Sequence, residues 1–233
     1  WITLRSQYSI DYIFVDNEVY FSPISGEGFS SNGSASSIFN KLKNSVWTNT
    51  IQLDRTFASR HNVSLLGGIE EQKYDNLSYG LNRISVNDPD FTNIQGGWAT
   101  PNTSGLGIGE SYLYSTFGRA QYNFDRKYFL SANLRRDGAS QLGTNSKYGT
   151  FWGASAGWEI TREKFWEGSF LEKVFSSLKL RGSYGKVGNI GGLGNFASLS
   201  TFGSGLYGGN GTVAFNQVGN PNLTWETSKK TDI

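Results

Sequence analysis

The sequence predicts an all-β protein, an antiparallel transmembrane β-barrel segment of about eight strands. Three observations carry that expectation. Apolar and polar residues alternate with a period of two through most of the chain. The connections between alternating stretches are by turns short and long. Charged residues make up 17% and aromatics 15%, and 30 of the 233 residues are Gly; an average soluble domain has about 25% charge and about 7% Gly.

The elements follow in order. From Trp1 to Phe14 the even positions include Ile2, Leu4, Tyr8, Ile10, Tyr12 and Phe14, opposite Thr3, Arg5, Gln7 and Asp11. Val46 to Phe57 places Trp47, Ile51, Leu53 and Phe57 on one face, and His61 to Lys73 sets Val63, Leu65, Gly67 and Ile69 against Asn62, Ser64, Glu70 and Gln72. Tyr112, Tyr114, Thr116, Gly118, Ala120 and Tyr122 oppose Ser115, Arg119, Gln121 and Asn123. Tyr128, Leu130, Ala132 and Leu134 then oppose Ser131, Asn133 and Arg135. The same phase returns over 152–160 and 178–184, and a last strand begins near Trp225. Successive side chains of a strand point to opposite faces, so each stretch has one apolar and one polar side.

The connections decide where such a sheet belongs. Long ones run from Val15 to Ser45, Tyr79 to Ser111 and Lys186 to Thr224. Tight turns fall at Ser59–Arg60 and Phe124 to Lys127, a medium loop spans Asp137 to Gly149, and a short connection spans Thr161 to Ser177. Consecutive antiparallel strands turn at opposite ends, so the long connections share one end. Outer-membrane barrels have this asymmetry, with long extracellular loops and short periplasmic turns. The polar face carries Ser, Asn, Gln, Gly and scattered Arg, as a wet lumen does, and Trp47, Phe57, Tyr112, Tyr128, Trp158, Tyr184 and Trp225 stand near strand ends as an interfacial girdle. Within 161–177, Phe165, Trp166, Phe170, Leu171, Val174 and Phe175 share one apolar side at the membrane edge, expected as a structured turn.

Composition excludes several classes. The chain has no Cys, which removes disulfides, thiol nucleophiles and Cys-held metals, and a single His, His61, which reads as interfacial. A net charge of +2 is too small for a nucleic-acid binder. With mean hydropathy −0.41, no apolar run approaches the roughly 20 residues of a spanning helix. The chain has no Met, so Trp1 is not expected to be a native start.

Several stretches resemble the SusC/RagA family of TonB-dependent outer-membrane transporters. YFLSANLRRDGASQLG is similar to the family strand ending in Arg-x-Asp-Gly-Ser-Ser, through Arg135 or Arg136, Asp137, Gly138 and Ser140, with Ala139 departing from it. FWGASAGWEITREKFW matches through Phe151, Ser155, Gly157, Trp158, Ile160, Glu163 and Phe165, with Trp152 and Gly153 in place of Pro and Ser. LKLRGSYGKVGN from Leu178 is the nearest match to the pattern, NPNLTWETSKKTDI from Asn220 follows at the family's spacing, and HNVSLLGGIE from His61 adds a weaker one. The resemblance implies a plugged barrel of about 22 strands. Residues 1–233 are then part of its barrel domain, with the plug, the TonB box and the remaining strands outside this chain. It also implies import of a glycan or a peptide, a SusD-like surface lipoprotein as lid, the TonB-ExbB-ExbD complex as energy source, outer-membrane lipid around the wall, and residence in the outer membrane of a Gram-negative bacterium.

No residue is expected to perform covalent chemistry, and neither a cofactor nor a metal is expected. Gly203 to Gly208 fits a GxGxxG string but lacks a following helical pattern. Glu70 and Glu71 face opposite sides of a strand, and Asp88 and Asp90 read as solvated loop carboxylates. Sugar recognition pairs flat aromatic rings with amides, so the substrate or lid contacts expected in the long loops are Trp98, Asn93, Gln95, Phe202, Tyr207, Asn210 and Asn216. Arg119, Arg135, Glu159 and Arg181 are expected to face the lumen and the plug. Two other readings compete with active import: a self-contained eight-stranded barrel with a structural or adhesive role, and a secreted sugar-binding β protein.

Overall fold

The computed structural model describes residues 1–24, 26–95 and 97–233, without the side chains of 99–106. It contains ten strands: β1 (Ile2–Phe21), β2 (Ser34–Phe57), β3 (His61–Val86), β4 (Trp98–Phe124), β5 (Tyr128–Ala139), β6 (Tyr148–Glu159), β7 (Lys179–Asn189), β8 (Thr201–Tyr207), β9 (Asn210–Gln217) and β10 (Glu226–Asp232). Eight of them form one sheet in the order β1-β2-β3-β4-β5-β6-β7-β10, and β8 and β9 form a separate hairpin. The order leaves β1 and β10 unpaired with one another among the described residues, so the chain forms an open wall rather than the closed eight-stranded barrel of the competing reading.

Short 3-10 segments occupy Gly26–Ser31, Ile160–Arg162 and Phe170–Lys173. The 161–177 stretch is thus a structured turn, as expected. The long connections differ from expectation in their content. Strand pairing continues to Phe21 in β1, to Val86 in β3 and back to Ser34 in β2 and Trp98 in β4, and the last connection contains the β8–β9 hairpin. Beyond the bilayer both faces of a strand meet water, so the alternation fades while the backbone ladder still pairs.

The chain divides into two compact units. The first comprises Trp1–Tyr8, Val46–Gln72 and Tyr112–Ile233. Its register shows why the sequence alternates. Across β4, β5, β6 and β7 one row reads Gln121, Ser131, Ser155, Ser183 and continues to Asp232 of β10; the next reads Tyr122, Leu130, Ala156, Gly182. A one-residue slip would exchange the two faces entirely. On β6 the apolar row runs from Trp158 to Tyr148, ten residue steps or about 33 Å of strand, which a tilt of about 40° reduces to the roughly 25 Å apolar band of an outer-membrane barrel. Tyr128, Phe124 and His61 mark one rim: the His61 ring lies 4.8 Å from Phe124, and its Nδ1 is 2.8 Å from the Tyr122 hydroxyl. Trp225 leaves the expected girdle. It packs edge-on against Phe151, 5.1 Å away on the polar face, and its indole N–H donates to the Lys147 carbonyl at 3.1 Å. Gly188 makes room there, because a Cβ on it would overlap the Phe151 ring.

The second unit comprises Ser9–Ser45 and Lys73–Ser111. Ala35, Val86 and Trp98 form its small core with Tyr20 against them. The Tyr20 hydroxyl donates to the Pro89 carbonyl at 3.0 Å, and rings of Tyr12, Phe14, Phe39 and Tyr79 run in series across β1, β2 and β3.

Two-residue turns close the β2–β3 and β4–β5 hairpins. Arg60 N–H donates to the Phe57 carbonyl and Lys127 N–H to the Phe124 carbonyl, which makes Ala58–Ser59 and Asp125–Arg126 the central pairs, the first one residue earlier than the sequence suggested. All four have φ between 47° and 56°, as a type I′ turn requires. Arg60 Nη2 bridges the two turns to Asp125 at 2.7 Å and holds that carboxyl below its usual range. The 160–178 connection is pinned at the same rim. Glu163 accepts from the Tyr128 hydroxyl at 2.5 Å, the Trp158 indole at 3.2 Å and Lys127 Nζ at 3.3 Å. These donors, the tyrosine hydroxyl foremost, hold the Glu163 carboxyl below the usual glutamate value.

Two outcomes follow for the detergent-extracted protein, both read from its heat-modifiable migration. Ser59→Gly relieves a left-handed backbone at a non-glycine residue and raises stability by roughly 0.5–1 kcal/mol. A depressed carboxylate stabilises above its unfolded pKa and loses that contribution as pH falls through its folded value, so unfolding temperature declines below about pH 4.3. Glu163→Gln flattens that acid decline and lowers stability near neutral pH.

Candidate functional site

The polar face of the first unit gathers one dense cluster. Alternation puts Glu70 of β3, Ser115 and Phe117 of β4, and Arg135 and Asp137 of β5 on the same side, and the β4–β5 register sets Phe117 opposite Arg135 and Ser115 opposite Asp137. Arg135 Nη2 donates to Glu70 Oε1 at 2.9 Å and to Ser115 Oγ at 2.7 Å, while its Nε donates to Asp137 Oδ1 at 2.6 Å. Thr48 of β2 donates to the other oxygen of Glu70 at 3.1 Å. The guanidinium lies 5.5 Å from the centre of the Phe117 ring. That ring occupies the space a Cβ at position 68 would need, so Gly68 lets it lie flat on β3. Ser115 is fully buried and Asp137 nearly so, whereas about a third of the Arg135 side chain is exposed. One cation thus ties three strands together with two carboxylates and keeps an open edge toward solvent, leaving the cluster with a net charge of −1.

Toward the turn rim the same face borders a cavity of about 1430 Å³, lined by Asn62, Ser64, Gln121, Asn123, Ser155, Lys179 and Arg181 among others. Its amides, hydroxyls and three cationic side chains, Arg55, Lys179 and Arg181, suit a hydrated passage. Lys179 Nζ sits 3.6 Å from the Phe129 ring centre. Among the described residues Arg181 and Arg119 make no ion pair. Arg119 stands opposite Asn133 and is exposed. Glu159 sits at the rim, accepting from Thr161 at 2.6 Å and Ser177 at 3.0 Å, and its role there is to shape the turn.

The loop residues expected to touch substrate or lid divide by accessibility. Trp98 is 8% exposed in the second unit's core, and its indole N–H donates to the Asn93 carbonyl at 2.8 Å, so its ring packs instead of presenting a face. The Asn93 side chain accepts from Gln95 N–H at 3.1 Å, forming a local turn that holds Gln95 at the surface. In the β8–β9 hairpin Tyr207 stands opposite Asn210 and Gly203 opposite Ala214. Gly208 and Gly209, at φ 57° and 83°, supply its tight turn, so the GxGxxG string encodes a hairpin. Phe202 meets Phe215 edge-on at 5.3 Å, Asn216 lies beside Gly203, and Tyr207 projects 83% exposed. Asp88 accepts from Asp90 N–H at 3.0 Å, which makes the carboxylate a turn cap.

The site residues that sequence reasoning missed are Glu70 as an Arg135 partner, Ser115, Asp137 and Phe117. Alternation did place Glu70 on the polar face. Its partner lies 65 positions away, and only the strand register brings the two together.

An open antiparallel wall with one lipid-facing and one hydrated side, long connections at one end and two-residue turns at the other is a section of an outer-membrane β-barrel. The family model "TonB dependent receptor-like, beta-barrel" matches residues 1–233, and the chain belongs to that family. The chain is 32% identical over 208 residues to TonB-dependent receptor P3 of Formosa agariphila, covering 86% of this chain and 20% of that one. It is 32% identical over 143 residues to TonB-dependent receptor SusC of Bacteroides thetaiotaomicron, covering 57% and 13%. The solved RagAB peptide transporter superposes with a TM-score of 0.81 at 21% identity, over 99% of this chain and 25% of that one. The chain therefore spans a fifth to a quarter of the length of P3 and the RagAB chain. Its place is the bacterial outer membrane.

Arg135→Met leaves Glu70 and Asp137 facing each other without their shared cation and costs about 1–3 kcal/mol, less than a fully buried pair because the arginine is partly wet. Pairing it with Glu70→Gln recovers part of that loss, and urea unfolding of the detergent-solubilised single and double variants measures the coupling.

Proposed function

We propose that this chain is part of the wall of a SusC-like TonB-dependent transporter that imports a nutrient across the outer membrane, an oligosaccharide or other glycan in first place. The observation that carries this reading is the hydrated face itself, together with the alignment to SusC. It presents amides, hydroxyls and unpaired arginines along a passage, a lining that suits binding and conduction of a polar cargo. A SusD-like lipoprotein closes the extracellular end as a lid, with Phe202, Tyr207 and Asn210 of the β8–β9 hairpin presented to lid or cargo. The TonB-ExbB-ExbD complex supplies energy through a plug, which Arg119 and Arg181 meet from the wall.

A strain lacking the gene loses growth on one glycan as sole carbon source while retaining growth on its monosaccharides, and the affinity-tagged protein carries a lipoprotein with it through detergent extraction. Loss of growth on peptides alone reassigns the cargo, and unimpaired growth on both defeats the import reading.

A further inference from the structure

We propose that the β6–β7 connection, residues 160–178, is an interfacial anchor that buries its apolar side chains in the phospholipid of the periplasmic leaflet. Phe165, Phe170, Leu171, Val174 and Phe175 are 65%, 78%, 45%, 58% and 46% exposed within eleven residues of sequence, a density of large apolar groups that water-facing turns avoid. The exposure belongs to an ordered segment. Trp166 N–H donates to Glu163, Ser169 to Trp166, Glu172 to Ser169 and Phe175 to Leu171, so reverse turns follow one another through it. Glu172 Oε2 also accepts from Gly168 N–H at 2.7 Å, and Gly168 takes the φ of 76° that this turn needs.

Continuity with the wall identifies the occupant. Trp158 lies on the apolar row, opposite Tyr128 and Leu180. The Phe165 ring meets Trp158 edge-on at 6.4 Å, and Glu163 takes hydrogen bonds from both Trp158 and Tyr128. The connection is thereby fastened to the side of the wall that faces lipid, and its apolar surface extends that side past the rim. The leaflet follows from topology. Asp125 N–H donates to the Arg60 carbonyl and Glu159 N–H to the Lys127 carbonyl, so this connection shares its end with the two-residue turns, the periplasmic end. Charge does not oppose the contact: Arg162, Lys164 and Lys173 balance Glu163, Glu167 and Glu172, and the ion pair from Lys127 to Glu163 leaves one positive charge over. Exposed apolar side chains with charged ones beside them that can reach water suit a segment that lies in a bilayer interface.

The test uses the unmodified, complete protein in vesicles of phosphatidylethanolamine and phosphatidylglycerol doped with a photoactivatable phospholipid. Adducts mapped to 163–175 at a yield near that of the Leu130 region support the anchor. Adducts confined to the wall, or their replacement by links between two copies of the protein, overturn it. A second readout places a fluorophore on Phe170→Cys or Phe175→Cys in the complete protein, with any cysteine outside this Cys-free chain first replaced by Ser. Brominated lipid quenching about as strong as at Leu130→Cys supports the proposal, and quenching no greater than at Ser59→Cys refutes it.

Discussion

A strand in hydrocarbon has no water to satisfy its peptide groups, so each N–H and C=O must find a partner on a neighbouring strand. That requirement governs everything else in this wall. It forces an unbroken ladder from β4 through β5, β6 and β7 to β10, and the ladder's two-residue period then assigns the side chains of these strands to lipid or to water. Stability and function are settled by the same choice. A residue cannot be moved by one position for the benefit of a site without carrying its whole strand to the wrong face.

Within that constraint the polar face is braced rather than packed. A soluble domain would cover such a surface with a core. Here the buried part is divided among local devices, among them Ser115 and Asp137 beneath Arg135, Leu142 with Ser198 on its carbonyl, and Phe151 held between Gly149, Gly188 and Trp225. Each joins two or more segments of the chain by contacts that leave the centre open. The rim follows the same economy, with Arg60 linking two turns and Glu163 gathering three donors. Such links matter most where strands emerge from lipid, because the ladder there competes with water.

Much of this was legible in the sequence, for a physical reason. The strands that face lipid on one side and water on the other alternate visibly, so β5, β6 and the inner parts of β1 to β4 were located from residues such as Leu130, Ala132 and Leu134 against Ser131, Asn133 and Arg135. Alternation also put Arg135 on the polar face, where the register sets it opposite Phe117. It was silent where both faces are wet: the outer parts of β1 to β4 and all of β8 and β9 read as loops. It was misleading for Trp225, whose place near a strand end suggested the lipid girdle although its ring turns inward onto Phe151. Glu70 and Asp137 could not be joined to Arg135 from one chain's sequence, because partnership across strands depends on register. Trp98 looked like a sugar platform because flat aromatics serve both recognition and packing, and only its burial distinguishes the two.

The hairpin of β8 and β9 pairs with itself and belongs to no other sheet. Its base is fastened chiefly by Gln217, whose amide donates to the carbonyls of Phe196, Ala197 and Leu199, with Ser200 accepting from the Gly219 N–H beside it. Substitutions between Phe202 and Phe215 therefore leave the register of the wall untouched. What this arm presents can thus be revised while the barrel is inherited unchanged.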